Sequence, residues 1–322
     1  MRKNFIYLLV AALFFDLAFG INYLQAKEEP KGLKGTITIS GAWALYPMVV
    51  KWAEEFGKAY PGVKIDVAAG GAGKGIADCL AGAVDIGMVS RNINPQEIQK
   101  GAWHVAVTKD AVVPTVNANN PVWEALSVQG VKKEVFVGIW ITGEVKSWNQ
   151  IANSKSSNPI NVYTRSDACG AAETWAAYLG KKQEDLLGVG VYGDQGIAEA
   201  VKKDNLGIGF NNINYAYDAT TKKELAGIRV LPIDLNGDGK IDKDEDFYKT
   251  RDQIMEAIRQ GKYPSPPARD LYFVTKGKPE KKITLEFIKW VLSDGQKYVS
   301  DTGYINLSPE KLKEELSKLE AE

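Results

Sequence analysis

Short apolar stretches alternate with amphipathic ones along the first 90 residues of the chain. Three stretches have the apolar composition of strands: TITIS (36–40), VKIDVAA (63–69) and DIGMVS (85–90). After the first strand, apolar residues recur with the spacing of one helix face; they are Leu45, Met48, Val49, Trp52 and Phe56. GGAGKG (70–75) opens a second helix. Strands and helices in this order, joined by short glycine-bearing loops, predict a parallel sheet with helices on its faces.

A second α/β region follows a long apolar segment, HVAVTKDAVVPTVN (104–117), which is predicted to be a strand that crosses from one region to the other. The pattern predicts strands at INVYTR, LGIGF and LYFVTKG, and helices at EVFVGIW, AAETWAAYLG and IAEAVKK. Two largely helical stretches, 283–299 and 308–322, close the chain. Leu312, Leu316 and Leu319 share one face of the last helix, which predicts that this helix docks on the protein.

Length and charge narrow the possible functions. The chain has 322 residues, enough for about two domains. Lys and Arg total 40 and so do Asp and Glu, so the chain has no net positive charge to attract nucleic acid or an anionic membrane. The sequence therefore excludes a typical nucleic-acid-binding protein.

The N-terminus is predicted to be a signal peptide, residues 1–26. Arg2 and Lys3 precede an apolar core, Phe5 to Phe15, which is shorter than the roughly 20 residues that a spanning helix needs. Two contexts fit cleavage, after residue 20 and after residue 26. An uncleaved anchor is the alternative. Either way, we expect a periplasmic or other extracytoplasmic protein.

Export permits a disulfide between the two cysteines, Cys79 and Cys169, but two free, partly buried thiols fit their separate motifs better. Cys169 precedes a predicted helix and follows Arg165, so its thiol pKa could be lowered; the alternative is that it replaces a serine. The only histidine, His104, lies in an apolar stretch elsewhere. Without a general base near the cysteine, we expect a protein that is not an enzyme.

Three loops share one plan: ISGAWALYP (39–47), AAGGAGKGI (68–76) and TRSDACGAAE (164–173). Each follows a strand and opens a helix. Strand carboxyl ends line the ligand crevice of open α/β sheets, and helix N-termini attract anions. GGAGKG is not a nucleotide-binding P-loop, because Ala68 stands at its first glycine position and Gly75 at the hydroxyl position. Together with Arg165, the loops predict an anion site.

These loops, with the segments 81–93 (AGAVDIGMVSRNI) and 205–213 (NLGIGFNNI), resemble the successive motifs of the phosphate-binding proteins of ABC importers over residues 35–305. The resemblance implies an α/β, two-lobed periplasmic-binding-protein fold (type II-like), each lobe a mostly parallel sheet with helices on both faces. Residues 35–115 plus 265–322 would form lobe I and residues 116–264 lobe II. The implied function is capture of phosphate or a related tetrahedral oxyanion by a monomer that delivers it to an ABC permease.

The resemblance also implies, position by position, which residues contact the anion: Gly41, Ala42, Trp43, Ala44, Gly71, Ala72, Gly73, Ser90, Arg91, Arg165, Asp167, Cys169, Gly170 and Ala171. Arg165 would donate as a fork, and Asp167 would orient its guanidinium.

Several hydroxyl donors of the family are missing, however, and Arg91 stands where many members carry a proton-accepting aspartate. Three alternatives follow. Main-chain N–H groups and two arginines hold a fully ionised anion; a different or larger anion (molybdate, tungstate, an organic phosphate) binds, with Trp43 as a stacking face; or the cleft is degenerate in a calcium-stabilised surface protein.

A second predicted site is the acidic loop DLNGDGKIDKDE (234–245). Its spacing fits the twelve-residue calcium loop of EF-hands, with Gly239 at the sharp turn. The predicted Ca²⁺ ligands are Asp234, Asn236, Asp238, Lys240 (through its carbonyl), Asp242 and Glu245. A strand, IRVLPI, precedes the loop where an EF-hand has a helix, so we expect a structural role. The alternative is a solvated acidic turn.

Overall fold

The computed structural model describes residues 32–152 and 157–320, so the predicted signal peptide lies outside the described residues. Within those ranges the chain forms nine strands. They are β1 (Gly35–Gly41), β2 (Val63–Ala69), β3 (Ile86–Val89), β4 (Ala102–Asn117), β5 (Asn161–Arg165), β6 (Val189–Val191), β7 (Gly207–Asn212), β8 (Ile228–Val230) and β9 (Ala268–Lys276).

Ten α-helices accompany these strands in the described ranges: α1 (Tyr46–Ala59), α2 (Ala72–Leu80), α3 (Pro95–Gln99), α4 (Trp123–Gln129), α5 (Lys133–Val137), α6 (Gly170–Tyr178), α7 (Gly193–Lys203), α8 (Arg251–Arg259), α9 (Lys282–Val291) and α10 (Pro309–Glu320). A π-helical turn, Gly138–Thr142, extends α5. Among the residues that the structure describes, no helix has both the length and the apolar character needed to cross a membrane.

The sheet confirms the two-lobed α/β prediction. The strands follow the order β2-β1-β3-β9-β4-β7-β5-β6, and β8 pairs with β4. β1 is parallel to β2 and β3, and β5 is parallel to β6 and β7. The 16-residue strand β4 pairs with β9 through residues 102–111 and with β7 through residues 112–116. The two sheets are therefore joined through β4 rather than separate.

Each lobe has its own hydrophobic core. The first core draws on residues 37–107 and 271–319, and includes Trp52 and Phe287. The second draws on residues 111–268 and Ile305, and includes Trp140 and Trp175. As the helical spacing predicts, α1 buries Met48, Val49, Trp52 and Phe56. Leu319 of α10 is buried against the first core, with Leu312 and Leu316 partly buried beside it.

Candidate functional site

Four loops meet where the lobes face each other. Loop 1 (residues 41–45) follows β1, loop 2 (70–71) follows β2, loop 3 (90–94) follows β3, and loop 4 (166–169) follows β5. The Gly41 carbonyl accepts hydrogen bonds from Gly70 N (2.9 Å) and Gly71 N (3.0 Å), which joins loops 1 and 2. Gly73 N donates across the cleft to the Ala168 carbonyl of loop 4 (3.3 Å). The three loops predicted from sequence therefore converge.

Glycines permit this close approach. Gly71 has a φ of +91°, and a Cβ there would lie 2.8 Å from the Ala168 carbonyl oxygen of the other lobe. A Cβ on Gly170, the first residue of α6, would overlap the carbonyl and Oγ of Ser90 in loop 3. Because both contacts cross the cleft, a side chain at either position would hold the lobes apart.

Arg165, the last residue of β5, is enclosed by carboxylates. Its Nε and Nη2 donate to Asp167 Oδ1 (2.8 Å) and Oδ2 (2.7 Å), and its Nη1 donates to Asp194 Oδ2 (2.8 Å). The Arg165 side chain has 0% exposure. Burial lowers its pKa, but Asp194 and Asp167 outweigh burial, so the net pKa is raised. A guanidinium has five N–H donors and three are used here, which leaves one N–H on Nη1 and one on Nη2.

Asp167 orients Arg165 as the sequence predicts, whereas Asp194 was not anticipated. Asp194 Oδ1 accepts hydrogen bonds from the backbone N (3.2 Å) and Nδ2 (2.8 Å) of Asn212, at the end of β7. The Asn212 Oδ1 accepts a hydrogen bond from Arg269 Nη2, and Arg269 is the cross-strand partner of Asp110. A buried polar chain therefore connects the cleft to strands β4 and β9, through which the lobes are joined.

The far end of this chain is a loose ion pair. Arg269 Nη2 lies 3.8 Å from Asp110 Oδ2, and both side chains are buried. Asp110 Oδ1 and two nitrogens of Arg269, Nε and Nη1, have no hydrogen-bond partner among the described residues. Burial raises the pKa of Asp110 to about 7, and the attraction of Arg269 only partly offsets it. Within this buried polar network, Asp110 is therefore the group whose pKa lies near neutral pH.

Arg91, like Arg165, is paired with carboxylates, and its partners were not predicted from the sequence. Its Nη1 and Nη2 donate to Glu97 Oε2 (2.8 Å) and Oε1 (2.7 Å), and its Nε lies 2.8 Å from Glu173 Oε2. Glu97 belongs to α3 of the first lobe, whereas Glu173 belongs to α6 of the second. Arg91 therefore bridges the lobes. It also lines a groove of about 610 Å³, together with Glu173 and Arg269.

The main chain of the converging loops offers free donors. Five N–H groups there make no hydrogen bond within the part of the chain that the structure describes: those of Trp43, Ala44, Ala72, Gly170 and Ala171. At least four other predicted contacts have an N–H that is already engaged. Ala42 N donates to the Met88 carbonyl (2.9 Å) and Gly71 N to the Gly41 carbonyl (3.0 Å), while Gly73 N donates to the Ala168 carbonyl (3.3 Å) and Cys169 N to Gln183 Oε1 (3.1 Å). The loops therefore hold several amides suited to an oxyanion, although fewer than predicted.

Cys169 caps helix α6, and its Sγ accepts a hydrogen bond from Ala172 N at 3.5 Å. Burial raises the pKa of this thiol to about 12, so the alternative of a lowered pKa beside Arg165 is wrong. The thiol instead fills the capping role that a serine would have. Cys79 is likewise buried and free, with a pKa raised by burial to about 11, so the two cysteines form no disulfide.

The carboxylates of the acidic loop hold the loop itself. Asp234 accepts hydrogen bonds from Gly237 N (2.7 Å) and Gly239 N (2.9 Å), and Glu245 Oε1 accepts one from Leu235 N (2.8 Å). Both of these acidic residues are buried.

In the middle of the acidic loop, the Lys240 side chain bridges two carboxylates of the same loop. Lys240 Nζ lies 2.9 Å from Asp242 Oδ1 and 3.4 Å from Asp238 Oδ2, and Asn236 Nδ2 donates to Asp242 Oδ2 (3.1 Å). No group of three or more His, Cys, Asp or Glu side chains is arranged for a metal ion in residues 32–152 and 157–320. Calcium binding stays a prediction.

Two lobes joined through shared strands, with loops closing on a common cleft, define a two-lobed binding-protein architecture. The PBP superfamily domain matches residues 26–295, and the chain belongs to this superfamily.

Two curated relatives are both named phosphate-binding protein PstS. One is from Xylella fastidiosa (strain Temecula1) and the other from Staphylococcus haemolyticus. Each is 27% identical to this chain; the first match covers 89% of this chain and 85% of the relative, the second 90% and 86%.

Solved structures show the same fold. A Clostridium perfringens structure with bound phosphate, assigned to phosphate ABC transporter substrate-binding proteins, has a TM-score of 0.68 and 22% identity, and covers 85% of this chain and 100% of its own. An ABC-type phosphate transport receptor from Vibrio cholerae has a TM-score of 0.60 and 21% identity, with coverage of 84% and 100%. These matches confirm the two-lobed fold.

Proposed function

We propose that this chain is an extracytoplasmic solute-binding protein that captures phosphate or a related tetrahedral oxyanion between its lobes and delivers it to an ABC permease. The observation that carries the proposal is the placement of Arg165. Its side chain has no exposed surface and is held by Asp167 and Asp194, and Asp167 lies on loop 4, one of the three converging loops near which main-chain N–H groups have no partner. The names of the curated relatives support phosphate as the ligand.

The loss of hydroxyl side chains does not remove the capacity to bind. Five free amide N–H groups and the two remaining N–H groups of Arg165 make seven donors. A hydrogen bond to a charged group contributes about 1.5–3 kcal/mol, and micromolar affinity needs about 8 kcal/mol. Roughly half of these donors would therefore support micromolar binding, with no contribution from an alcohol.

Each of the two alternatives carries a structural cost. The first cost concerns Trp43. Its ring packs edge-on against Tyr192 of the second lobe, with centroids 6.0 Å apart, so a larger anion that stacks on this ring requires the contact to open. A degenerate cleft requires the free amides to stay unused, at a cost of about 1–3 kcal/mol for each group that is buried. A compact oxyanion avoids both demands, which is why we favour it.

Binding requires the lobes to move. Because the Arg165 side chain has 0% exposure, an anion reaches it only when the lobes are apart, and closure then encloses the ligand. The ligand undergoes no chemistry in this cycle: burial raises the pKa of the Cys169 thiol to about 12, so this thiol is a poor nucleophile at neutral pH. Under this proposal the chain is not an enzyme.

The remaining parts of the proposal concern export, assembly and calcium. Residues 1–26 act as a signal peptide, and the mature chain works as a monomer outside the cytoplasm. The loop 234–245 binds Ca²⁺ in a structural role; the support is its ligand spacing and the buried positions of Asp234 and Glu245. Ca²⁺ must displace Lys240 from Asp238 and Asp242, which lowers the affinity.

A thermal-shift panel tests the proposed ligand class. Phosphate, sulfate, molybdate, tungstate and a phosphate monoester are each added in excess to the mature protein. A ligand that binds only the folded state raises the melting temperature, so we expect a rise with phosphate. A rise with molybdate, tungstate or the monoester, but not with phosphate, supports the alternative of a different or larger anion. No rise with any member of the panel contradicts the proposal and supports a degenerate cleft.

A further inference from the structure

Two phenol hydroxyls hold the backbone of loop 1. Tyr215 Oη donates to the Trp43 carbonyl oxygen (3.2 Å), and Tyr304 Oη donates to the Ala44 carbonyl oxygen (2.7 Å). The exposed fraction is 9% for Tyr215 and 0% for Tyr304. Burial raises the pKa of both phenols, so both keep their protons and act as donors.

Only one of these hydroxyls acts on a free amide. The Trp43 carbonyl and the Ala44 N–H belong to one planar trans peptide unit and point in opposite directions. The Trp43 carbonyl also accepts a hydrogen bond from Tyr46 N of its own lobe (3.3 Å), so the Tyr215 hydroxyl is its second partner. Fixing this carbonyl from both sides fixes the direction of the Ala44 N–H, which has no hydrogen bond among the described residues. Tyr304 fixes the next peptide unit, whose N–H, on Leu45, already donates to the Ala42 carbonyl (3.1 Å).

The two tyrosines lie on different sides of the cleft. Tyr215 ends the 3-10 turn that follows β7, and its neighbours Ile213 and Ala216 pack in the core of the second lobe. Tyr304 packs in the core of the first lobe, to which loop 1 belongs. The hydrogen bond from Tyr215 to Trp43 therefore crosses the cleft and breaks when the lobes separate, whereas the bond from Tyr304 persists.

We propose that Tyr215 is a positioning residue that couples lobe closure to the orientation of the Ala44 N–H towards the bound oxyanion. This inference rests on the proposed function. In the open protein the peptide unit between Trp43 and Ala44 lacks its partner on the second lobe. Closure supplies the Tyr215 hydroxyl and directs the amide to the ligand. Tyr215 thus strengthens the closed complex and leaves the encounter with the anion unchanged.

The test compares Tyr215→Phe with Tyr304→Phe, which removes the same group from the same loop but within one lobe. Stopped-flow fluorescence with inorganic phosphate gives the association and dissociation rates. For Tyr215→Phe we expect a dissociation rate about two- to tenfold faster, from the loss of one hydrogen bond, with an association rate that does not fall and an unchanged melting temperature without ligand. An unchanged dissociation rate, or a pattern equal to that of Tyr304→Phe, overturns the inference.

A second measurement does not need a ligand. Spin labels at Ala59→Cys on α1 and Lys203→Cys on α7, both exposed positions, report the distance between the lobes. We expect Tyr215→Phe to shift the distance distribution towards longer values, and Tyr304→Phe to leave it unchanged. If the wild-type protein binds none of the oxyanions tested, the proposed function fails. If the distance distribution of Tyr215→Phe equals that of the wild type, the positioning role fails. The two failures are therefore distinguishable.

Discussion

Arg91 Nε lies 2.8 Å from Glu173 Oε2, and this ion pair joins the first lobe to the second. The Arg91 side chain is 9% exposed and that of Glu173 is 40% exposed, so solvent screens the pair in part. Arg91 also holds Glu97 on its own lobe. One guanidinium thus carries a contact within a lobe and a contact between lobes, and the two can be separated by mutation.

Glu173→Gln removes the charge of the contact between lobes. Because screened pairs contribute about 0.2–1 kcal/mol, we expect phosphate affinity to fall by a factor of roughly 1.4 to 5, mainly through faster dissociation. Titration calorimetry and stopped-flow kinetics measure the two quantities. Glu97→Gln is the matched control, because it alters the same arginine without touching the second lobe. Equal losses in both variants would argue against a role of this pair in closure.

Gly170→Ala blocks closure by contact. The added Cβ meets the carbonyl and Oγ of Ser90 across the cleft, and the backbone carbonyl cannot yield as a flexible side chain would. We expect phosphate affinity to fall more than tenfold while the far-UV circular dichroism stays unchanged. Gly57→Ala on α1 meets no atom within 4 Å and serves as the control, with wild-type affinity. A Gly170→Ala protein that binds phosphate normally would show that the lobes close differently.

The raised pKa of Asp110 predicts how the stability of the folded protein depends on pH. Its pKa is about 7 in the folded protein against 3.8 ordinarily, so between these values the folded state binds a proton that the unfolded state lacks. Its contribution to the free energy of unfolding therefore falls as pH rises from about 4 to 7, by an amount on the order of 2–4 kcal/mol. Asp110→Asn lacks this titration.

Urea unfolding of both proteins at pH 4.5, 6 and 7.5 measures the effect. We expect the stability of Asp110→Asn relative to wild type to increase with pH across this window. A difference between the two proteins that stays constant from pH 4.5 to 7.5 would mean that Asp110 keeps an ordinary pKa, and that the Arg269 pair compensates its charge fully.

Calcium provides a fourth test, at the loop of residues 234–245. If the loop binds Ca²⁺, a concentration 100 times the dissociation constant stabilises the protein by about 2.7 kcal/mol and raises the melting temperature. Glu245→Gln, at the position of the bidentate ligand, should abolish that rise. Asp244→Asn is the control, because the Asp244 side chain is 90% exposed and stands at a non-ligand position. Equal melting temperatures in Ca²⁺ and in chelator, for wild-type protein, exclude the site.

The sequence predicts those parts of the site whose residues lie close together along the chain. Arg165 ends β5 and Asp167 lies two residues later in loop 4, so their pairing follows from the resemblance and from the short separation. The three glycine-bearing loops are likewise each continuous in sequence. The helical spacing in α1 identified its buried face correctly, because apolar periodicity reports burial directly.

Contacts set by the strand order were not predictable. Asp194 lies 29 residues from Arg165, and Arg269 lies 57 residues from Asn212; the order of β4, β5, β7 and β9 brings them together. The Arg91–Glu173 contact has the same origin, since it requires two lobes to face each other. Helix α8 was missed although Ile254, Met255 and Ile258 have a helical spacing, because its mean composition is polar.

The central claim is that Arg165 and main-chain amides bind an oxyanion between the lobes. Arg165→Lys tests it most directly, because lysine keeps the charge beside Asp167 and Asp194 but loses the planar fork. The measurement is titration calorimetry of wild type and variant with phosphate at matched folded fraction. We predict binding by wild type and an affinity at least tenfold weaker in Arg165→Lys. Equal phosphate affinities for the two proteins would contradict the account.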